Sequence, residues 1–306
     1  MRQTQVGTRG SGKKKGWGVI PVYVPWLFLL PSLVFYLVFK AIPIFGTFII
    51  SFFRWEGISF ATMDFIGIRN YITLLSDEVF LLALWNNIIF ILMGVSMVTV
   101  FALFIAVLLE KGLRLSNFFR GTYFIPAVMS MVVIGVTFTL FLSPELGVVN
   151  PFLERIGLGK FTRAWLGDPQ FALPIVILSH VWQMFGFYMF IFIAGLKNIP
   201  DELYEAAHID GSGVWGDFLH VTLPLLKPVV AVVVVLAMIN TLKVFDLIYV
   251  MTFGGPGNAS QVLTLRMYLV GFMHNYMGYG SAIAVVFLLL TLAISAVQLK
   301  VTGSLK

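Results

Sequence analysis

Residues Glu205 to Pro228 read EAAHIDGSGVWGDFLHVTLPLLKP and lie between two long apolar runs. The segment from Asp201 to Asp217 contains five of the chain's 14 acidic residues. Such a concentration of acid is unusual here, because the 306-residue chain is 59% hydrophobic and only 11% charged. Soluble globular proteins are about 25% charged. The composition therefore indicates that lipid is the main solvent, with one polar segment between two apolar runs.

Long stretches without charge predict membrane-spanning helices. No charged residue lies between Glu78 and Glu110, Arg120 and Glu145, Asp168 and Lys197, or Arg266 and Lys300. Each stretch reaches the roughly 20 residues that a helix needs to cross a bilayer, and none alternates as barrel strands do. We therefore predict an all-α membrane protein with six transmembrane helices, at about 24–50, 83–109, 119–142, 171–195, 229–251 and 278–299.

The first apolar run could also be a signal peptide. The apolar core of a signal peptide covers only about 7–15 residues, whereas this run continues past Pro43 to Phe53. An uncleaved first span is the favoured interpretation. With the N-terminus inside, the inner segments hold 12 Lys and Arg residues and the outer loops hold 6. Since cytoplasmic loops are enriched in Lys and Arg, we expect both termini to be cytoplasmic.

The polar segment predicts two short helices joined by a glycine bend. A helix over residues 200–210 would begin with a proline and two acids, which suit a first helical turn. Gly211 can adopt the left-handed conformation that ends a helix. A second helix is predicted from residues 212–213 until Pro224 and Pro228 break it. Such short helices are marginal in water, so we expect a partner to hold them. A partner protein is favoured over a linker on the lipid surface, because interfacial helices are normally rich in Lys and Arg and this segment is acidic.

The polar segment resembles a known signature. The pattern Glu-Ala-Ala, three residues, Gly, nine residues, Ile, any residue, Leu-Pro is typical of permease subunits in binding-protein-dependent ABC importers. Here it falls on Glu205, Ala206, Ala207, Gly211, Val221, Leu223 and Pro224, with Val221 in place of Ile. The carbohydrate-uptake branch adds Asp210 before the glycine. Four stretches resemble the maltose-type first permease subunit of that branch, at 165–174, 195–207, 245–260 and 279–299.

The resemblance implies a transport subunit and not an enzyme. Such subunits lie in a bacterial or archaeal cytoplasmic membrane and pair with a second, homologous permease subunit. Two copies of a cytoplasmic ATPase bind ATP and Mg²⁺ below, and an extracytoplasmic binding protein delivers sugar. The sequence contains no G-x-x-x-x-G-K-[ST] phosphate loop, so no cofactor is expected in this chain. The basic balance of +6 is explained by membrane topology, so no nucleic acid is expected.

The resemblance to ABC permease subunits implies that the chain has three parts. Residues 1–22 form a basic cytoplasmic segment, residues 23–300 form the transmembrane domain, and residues 301–306 form a cytoplasmic tail. Within the domain, residues 200–228 form a coupling segment that seats in a cleft of the ATPase and carries its ATP-driven closure to the spans. The eight coupling residues are the seven signature positions and Asp210.

Polar groups inside the predicted spans are candidates for the solute pathway, because such groups are costly in lipid. They are His180, Gln183 and Tyr188 in the fourth span and Asn240, Lys243 and Asp246 in the fifth. Two alternatives remain open. The fourth-span residues could join helices to one another, and Lys243 and Asp246 could form an ion pair with each other or with the second permease subunit. No metal site is predicted, because His180 has no second ligand nearby in the sequence.

Two other functions remain as alternatives to sugar import. An ion-coupled secondary transporter should show internal repeats, and none is visible in this sequence. An ABC permease for a non-sugar solute, such as a glycerol phosphate derivative, is compatible with the same signature. An intramembrane enzyme would need paired acids, a Ser–His pair or H-E-x-x-H inside the spans, and these are absent from the sequence.

Overall fold

The computed structural model describes residues 23–110 and 115–301, and these residues are almost entirely helical. The α-helices are α1 (Tyr23–Tyr36), α2 (Ile42–Ile50), α3 (Arg69–Ser76), α4 (Glu78–Glu110), α5 (Ser116–Val128), α6 (Met131–Phe141), α7 (Val149–Arg155), α8 (Ala172–Leu196), α9 (Asp201–Ile209), α10 (Val214–Gly216), α11 (Leu223–Leu242), α12 (Asp246–Met251), α13 (Leu263–Tyr268) and α14 (Met277–Val301). Short π-helical turns cover Leu37–Ala41, Asp217–Thr222 and Leu269–Met273, and 3₁₀ turns cover Phe60–Thr62 and Gly159–Phe161. Two short strands, β1 (Phe53–Arg54) and β2 (Asp64–Phe65), pair antiparallel. The predicted all-α class is confirmed.

The chain divides into two compact units, one through Gly46 and one from Thr47 onwards. The first unit consists, in its described part, of α1, the π turn at Leu37–Ala41 and the start of α2. The predicted basic segment 1–22 and residues 302–306 of the predicted tail lie outside the described residues. All packing described below belongs to the second unit.

The structure supports six spans when one broken helix is counted. In the described ranges, five helical stretches are long and apolar enough to cross a membrane: Trp26–Ile50, Glu78–Glu110, Ala172–Leu196, Val214–Leu242 and Met277–Gln298. The predicted third span is not one straight helix, because α5 and α6 meet at an angle of 100°. If α5 and α6 are counted as a single bent span, the structure has the six spans predicted from the sequence, in the described residues.

At the bend between α5 and α6, side chains form hydrogen bonds with backbone groups that the broken helix leaves unpaired. Pro126 lies in the last turn of α5, and Met129 after it is extended. The Ser130 hydroxyl accepts a hydrogen bond from the backbone N–H of Val132 and so caps α6. The side-chain amide of Gln183 in α8 donates to the Met129 carbonyl over 3.1 Å. Broken helices are tolerated at membrane depth when neighbouring groups pair the freed backbone in this way.

The core is formed mainly by α4 and α8, which pack extensively on each other. Phe90 on α4 and Tyr188 and Phe192 on α8 are fully buried. Gly186 lets α5 approach α8 closely, because a Cβ atom at this position would overlap the backbone carbonyl of Tyr123. Small residues at helix crossings serve this purpose in membrane proteins generally.

The fifth span differs from the prediction at both ends. The predicted break at Pro224 and Pro228 is wrong, because one continuous helix runs over Val214–Leu242. A π-helical turn at Asp217–Thr222 directly precedes Pro224, and such local adjustments accommodate the missing proline N–H. The predicted end near residue 251 is also wrong, because α11 stops at Leu242 and the chain leaves helical geometry before α12 begins.

Two short helices, α12 and α13, lie between the fifth and sixth spans. Side chains of neighbouring helices hydrogen-bond to the backbone carbonyls of the segments that connect them. Thr264 donates to the Val244 carbonyl over 2.7 Å, which pairs the backbone just after α11. The buried Asn86 on α4 donates to the carbonyls of Ala259 and Gln261, at 3.0 and 2.8 Å. Irregular backbone at membrane depth requires such partners, and they explain why the fifth helix does not continue.

Asp77 joins three elements at the start of the second span. One carboxylate oxygen caps α4 by accepting from the N–H groups of Val79 and Phe80. The other accepts from Arg266 of α13 over 2.8 Å and from the Tyr279 hydroxyl of α14 over 2.7 Å. Burial raises the pKa of Asp77, but the hydrogen bonds from Arg266 and Tyr279 outweigh that cost and hold the pKa below its usual value.

Candidate functional site

The predicted first helix of the polar segment is α9. Pro200 precedes it in an extended conformation, and Asp201 and Glu202 occupy its first turn. Acidic side chains at this position interact favourably with the positive end of the helix dipole. The local sequence thus determines where α9 begins, as expected.

The predicted bend at Gly211 has a specific hydrogen-bonding pattern. Gly211 has a φ angle of +83°, and its N–H donates to the His208 carbonyl over 3.0 Å. The N–H of Ser212 reaches back to the Ala207 carbonyl over 2.9 Å. These two bonds form a Schellman motif, in which a left-handed residue ends the helix and glycine avoids steric cost. The helix-glycine-helix prediction is confirmed, with the second helix beginning at Val214.

The signature residues at the bend are accessible. Glu205, Ala206, Asp210 and Gly211 are exposed, and Ala207 is half-buried. Large apolar side chains beside them are exposed too, with Ile209 at 87% and Trp215 at 77%. Exposed apolar side chains grouped in this way mark interaction surfaces. The sequence alone does not show that Trp215 is exposed.

Two side-chain contacts cross the bend and join α9 to the start of the fifth span. The Tyr204 hydroxyl and the Thr222 hydroxyl lie 3.0 Å apart. The imidazole Nε2 of His208 and a carboxylate oxygen of Asp217 lie 2.9 Å apart. A cavity of about 460 Å³ lies against these contacts and reaches Glu110 at the end of α4. Neither contact was predicted from the sequence.

The end of the signature lies on the spanning helix itself. Val221 is half-buried and packs against the core, Leu223 is half-buried, and Pro224 is exposed. Because the helix continues without interruption to Leu242, the signature is continuous with the full length of the fifth span.

The candidate pathway residues of the fourth span lie inside the helix packing. His180, Gln183 and Tyr188 are buried, with at most 2% of each side chain exposed. His180 packs edge-on against the Phe90 ring, and Gln183 donates to the bend at Met129. Asn240 of α11 donates to the Tyr188 hydroxyl over 2.9 Å. These contacts favour the alternative in which such groups join helices to one another.

The candidate pathway residues at the end of the fifth span are accessible. Lys243 and Asp246 are both exposed, and Asn240 is half-buried. Lys243 follows the last residue of α11, and Asp246 begins α12. Among the ion pairs of the described residues, none joins Lys243 to Asp246.

Five aromatic rings continue from this point along α12 and α13. Phe245, Tyr249, Phe253, Tyr268 and Phe272 form this aromatic row, in which neighbouring ring centroids lie 5.1 to 6.0 Å apart. Phe253 is 49% exposed and Phe272 is 61% exposed. The sequence does not indicate the row, because Phe245, Tyr249 and Phe253 meet Tyr268 and Phe272 only through packing between two segments.

A comparison with family models decides the identity of the chain. Residues 84–302 match the model described as binding-protein-dependent transport system inner membrane component. The chain belongs to this family. It is a multi-pass inner membrane protein and a transport subunit, and the prediction that it is not itself an enzyme is confirmed by this membership.

Two curated relatives of this family member cover most of its length. The probable ABC transporter permease protein YurN of Bacillus subtilis (strain 168) is 43% identical over 90% of this chain and 95% of the relative. The trehalose/maltose transport system permease protein MalF of Thermococcus litoralis is 36% identical over 90% of this chain and 92% of the relative. The predicted resemblance to ABC permeases is confirmed.

A solved structure shares the fold of this family member. It is a bacterial ABC transporter involved in the import of the acidic polysaccharide alginate, with a TM-score of 0.78 and 25% identity. The match covers 92% of this chain and 96% of that chain. A second structure shows the bacterial alginate ABC transporter in complex with an alginate pentasaccharide-bound periplasmic protein, with a TM-score of 0.76, 25% identity and cover of 90% and 92%.

Proposed function

We propose that this permease subunit forms half of a translocation pathway for a sugar or sugar-like solute. The observation that carries the proposal is the aromatic row beside the exposed Lys243 and Asp246. A sugar ring presents C–H faces, which pack on aromatic rings, and hydroxyl edges, which hydrogen-bond to polar side chains. The relatives named for trehalose, maltose and alginate transport support the same class of solute.

The pathway contacts belong, in this proposal, to the end of the fifth span. Lys243 and Asp246 are accessible, and Asn240 is half-buried beside Tyr188. Tyr188 contributes by orienting Asn240, whereas Gln183 joins α8 to the bend at Met129 and His180 packs against the Phe90 ring. A fully buried side chain that is already engaged with a neighbouring helix is poorly placed to exchange hydrogen bonds with a passing solute.

The coupling segment at residues 200–228 docks, in this proposal, on a cytoplasmic ATPase. Its exposed face combines acidic and apolar side chains around the turn at Gly211. The segment presents Glu205, Ala206, Ala207, Asp210 and Gly211 at this face, with Val221, Leu223 and Pro224 leading into the span. The complete transporter would contain a second permease subunit, two ATPase copies and an extracytoplasmic sugar-binding protein. The complex of the alginate transporter with its periplasmic protein supports the last of these.

The test measures solute-dependent ATP hydrolysis by the complete transporter in proteoliposomes. We expect hydrolysis to rise when the binding protein is loaded with a sugar from a panel of maltose, trehalose, arabino-oligosaccharides and alginate oligomers. Amino acids should have no effect, since they do not offer several hydroxyls around one ring. Stimulation by glycerol phosphate derivatives alone would identify a non-sugar permease of the same family and contradict the sugar proposal.

A further inference from the structure

The bend of the coupling segment contains two glycines, and the backbone is its only covalent connection. Gly211 and Gly213 flank Ser212, and no heavy atom lies within 4 Å of the place a Cβ would occupy on either glycine. Glycine restricts backbone rotation less than any other residue. A backbone connection of this kind transmits force poorly, so a displacement of α9 would be absorbed at the bend unless other contacts join its two sides.

Side-chain contacts supply that connection. His208, in the last turn of α9, meets Asp217, which starts the π turn of the fifth span, over 2.9 Å. The Asp217 side chain is only 16% exposed, whereas His208 is 61% exposed. Tyr204, one turn earlier on α9, meets the buried Thr222 over 3.0 Å. The two contacts lie on the same side of the bend and straddle it, so together they oppose both rotation and opening.

We propose that the His208–Asp217 pair, supported by Tyr204–Thr222, makes α9 and the start of the fifth span move as one body. His208 and Asp217 are then positioning residues for energy coupling. They carry a displacement of the docked α9 past the glycines into the continuous helix that ends at Leu242, next to Lys243. This inference rests on the proposed docking of the coupling segment on an ATPase.

The test compares His208→Ala, Asp217→Ala and the double variant in the complete transporter in proteoliposomes. The readout is the number of ATP molecules hydrolysed per solute molecule taken up, with subunit assembly checked by size-exclusion chromatography. Each single variant should raise this ratio about threefold to tenfold, the scale expected when one interaction of a coupled element is lost. The double variant should match either single variant, because all three break the same contact.

Matched variants separate this role from a general structural one. His220→Ala removes another exposed histidine of the segment, whose ring nitrogen pairs with the Gly216 carbonyl of its own helix, and should leave the ratio unchanged. Asp217→Asn keeps an acceptor for the His208 ring and should stay close to wild type. Since the chain has no cysteine, the pair His208→Cys/Asp217→Cys can be joined by a short, reducible crosslinker. Crosslinking should restore the ratio and reduction should raise it again.

Two outcomes would overturn the inference: a normal ratio in both single variants, or crosslinking that leaves the ratio high. Gly211→Val distinguishes this failure from failure of the proposed docking. Its φ of +83° is strained for a β-branched residue, so Gly211→Val should uncouple hydrolysis from uptake whether or not the contact matters. If only the pair variants behave normally, the inference about the pair fails. If Gly211→Val is also normal, the coupling role of the segment fails with it.

Discussion

Asp246 is exposed at the start of α12, and the aromatic row begins beside it at Phe245. The described residues contain no ion pair between Asp246 and Lys243, which leaves a solute hydroxyl or the second permease subunit as the partner of this carboxylate. We expect Asp246→Ala to raise the KM for uptake about tenfold, on the scale of one lost charge-assisted hydrogen bond. ATPase association should stay unchanged.

Uptake kinetics in proteoliposomes and co-purification of the ATPase together test this expectation. Glu145→Ala is the matched control, because it removes another exposed acid outside the pathway segment. Uptake by this control should equal wild type. Loss of the second permease subunit or of the ATPase from the Asp246→Ala complex would show instead that Asp246 holds the assembly together.

At the scale of the element, the bent pair of α5 and α6 depends on one side chain of α8. Gln183 is 1% exposed and donates to the Met129 carbonyl at the bend. Gln183→Leu removes the donor and leaves that carbonyl unpaired, which should destabilise the protein by about 1 kcal/mol. Thermal unfolding of the purified Gln183→Leu subunit in detergent should show a lower midpoint than wild type. The KM for solute uptake by the folded variant should equal that of wild type.

The exposed Gln170 provides the control for that variant. Gln170→Leu makes the same chemical change without removing a helix–helix contact, so its unfolding midpoint should equal that of wild type. A raised KM for Gln183→Leu with a wild-type midpoint would return Gln183 to the solute pathway. The two roles left open by the sequence thus predict different measurements.

Local signals predicted the coupling segment well, because caps and turns depend on neighbouring residues. Pro200, the acids after it and Gly211 set the start and end of α9 almost to the residue. The bend at Met129 and the early end of the fifth span were missed for the opposite reason. They depend on partners far along the chain, namely Gln183 for the Met129 carbonyl and Thr264 for the Val244 carbonyl.

The break predicted at Pro224 is wrong as well. Pro224 would end a helix in water, yet the π turn before it lets the helix continue across the membrane. The predicted pathway residues differ in their surroundings: Lys243 and Asp246 are accessible, whereas His180 and Gln183 are buried against neighbouring helices. Polarity within a span indicates a function, but burial decides whether that function concerns solute or packing.

At the scale of the whole molecule, the sidedness of the membrane depends on whether the bent pair crosses it. If α5 and α6 together form one span, the chain has six spans and both termini lie on one side. If the 100° bend returns the chain to the side it came from, five spans remain and the termini lie on opposite sides. The ion pair of Glu110 with Arg120, at 2.8 Å, places the start of α5 beside the end of α4. The distribution of basic residues, 12 on the inner side against 6 on the outer side, assumes six spans.

Single cysteines in this cysteine-free chain can report the side of each loop. We expect an impermeant maleimide to label Glu145→Cys, after α6, in intact cells. Asn117→Cys, at the start of α5, and Glu202→Cys, in the coupling segment, should react only after permeabilisation. All three positions are exposed in the subunit, and reaction after permeabilisation shows that a position silent in intact cells is shielded by the membrane. Equal labelling of Asn117→Cys and Glu145→Cys would show that the bent pair does not cross. Labelling of Glu202→Cys in intact cells would place the coupling segment outside, where no ATPase could reach it.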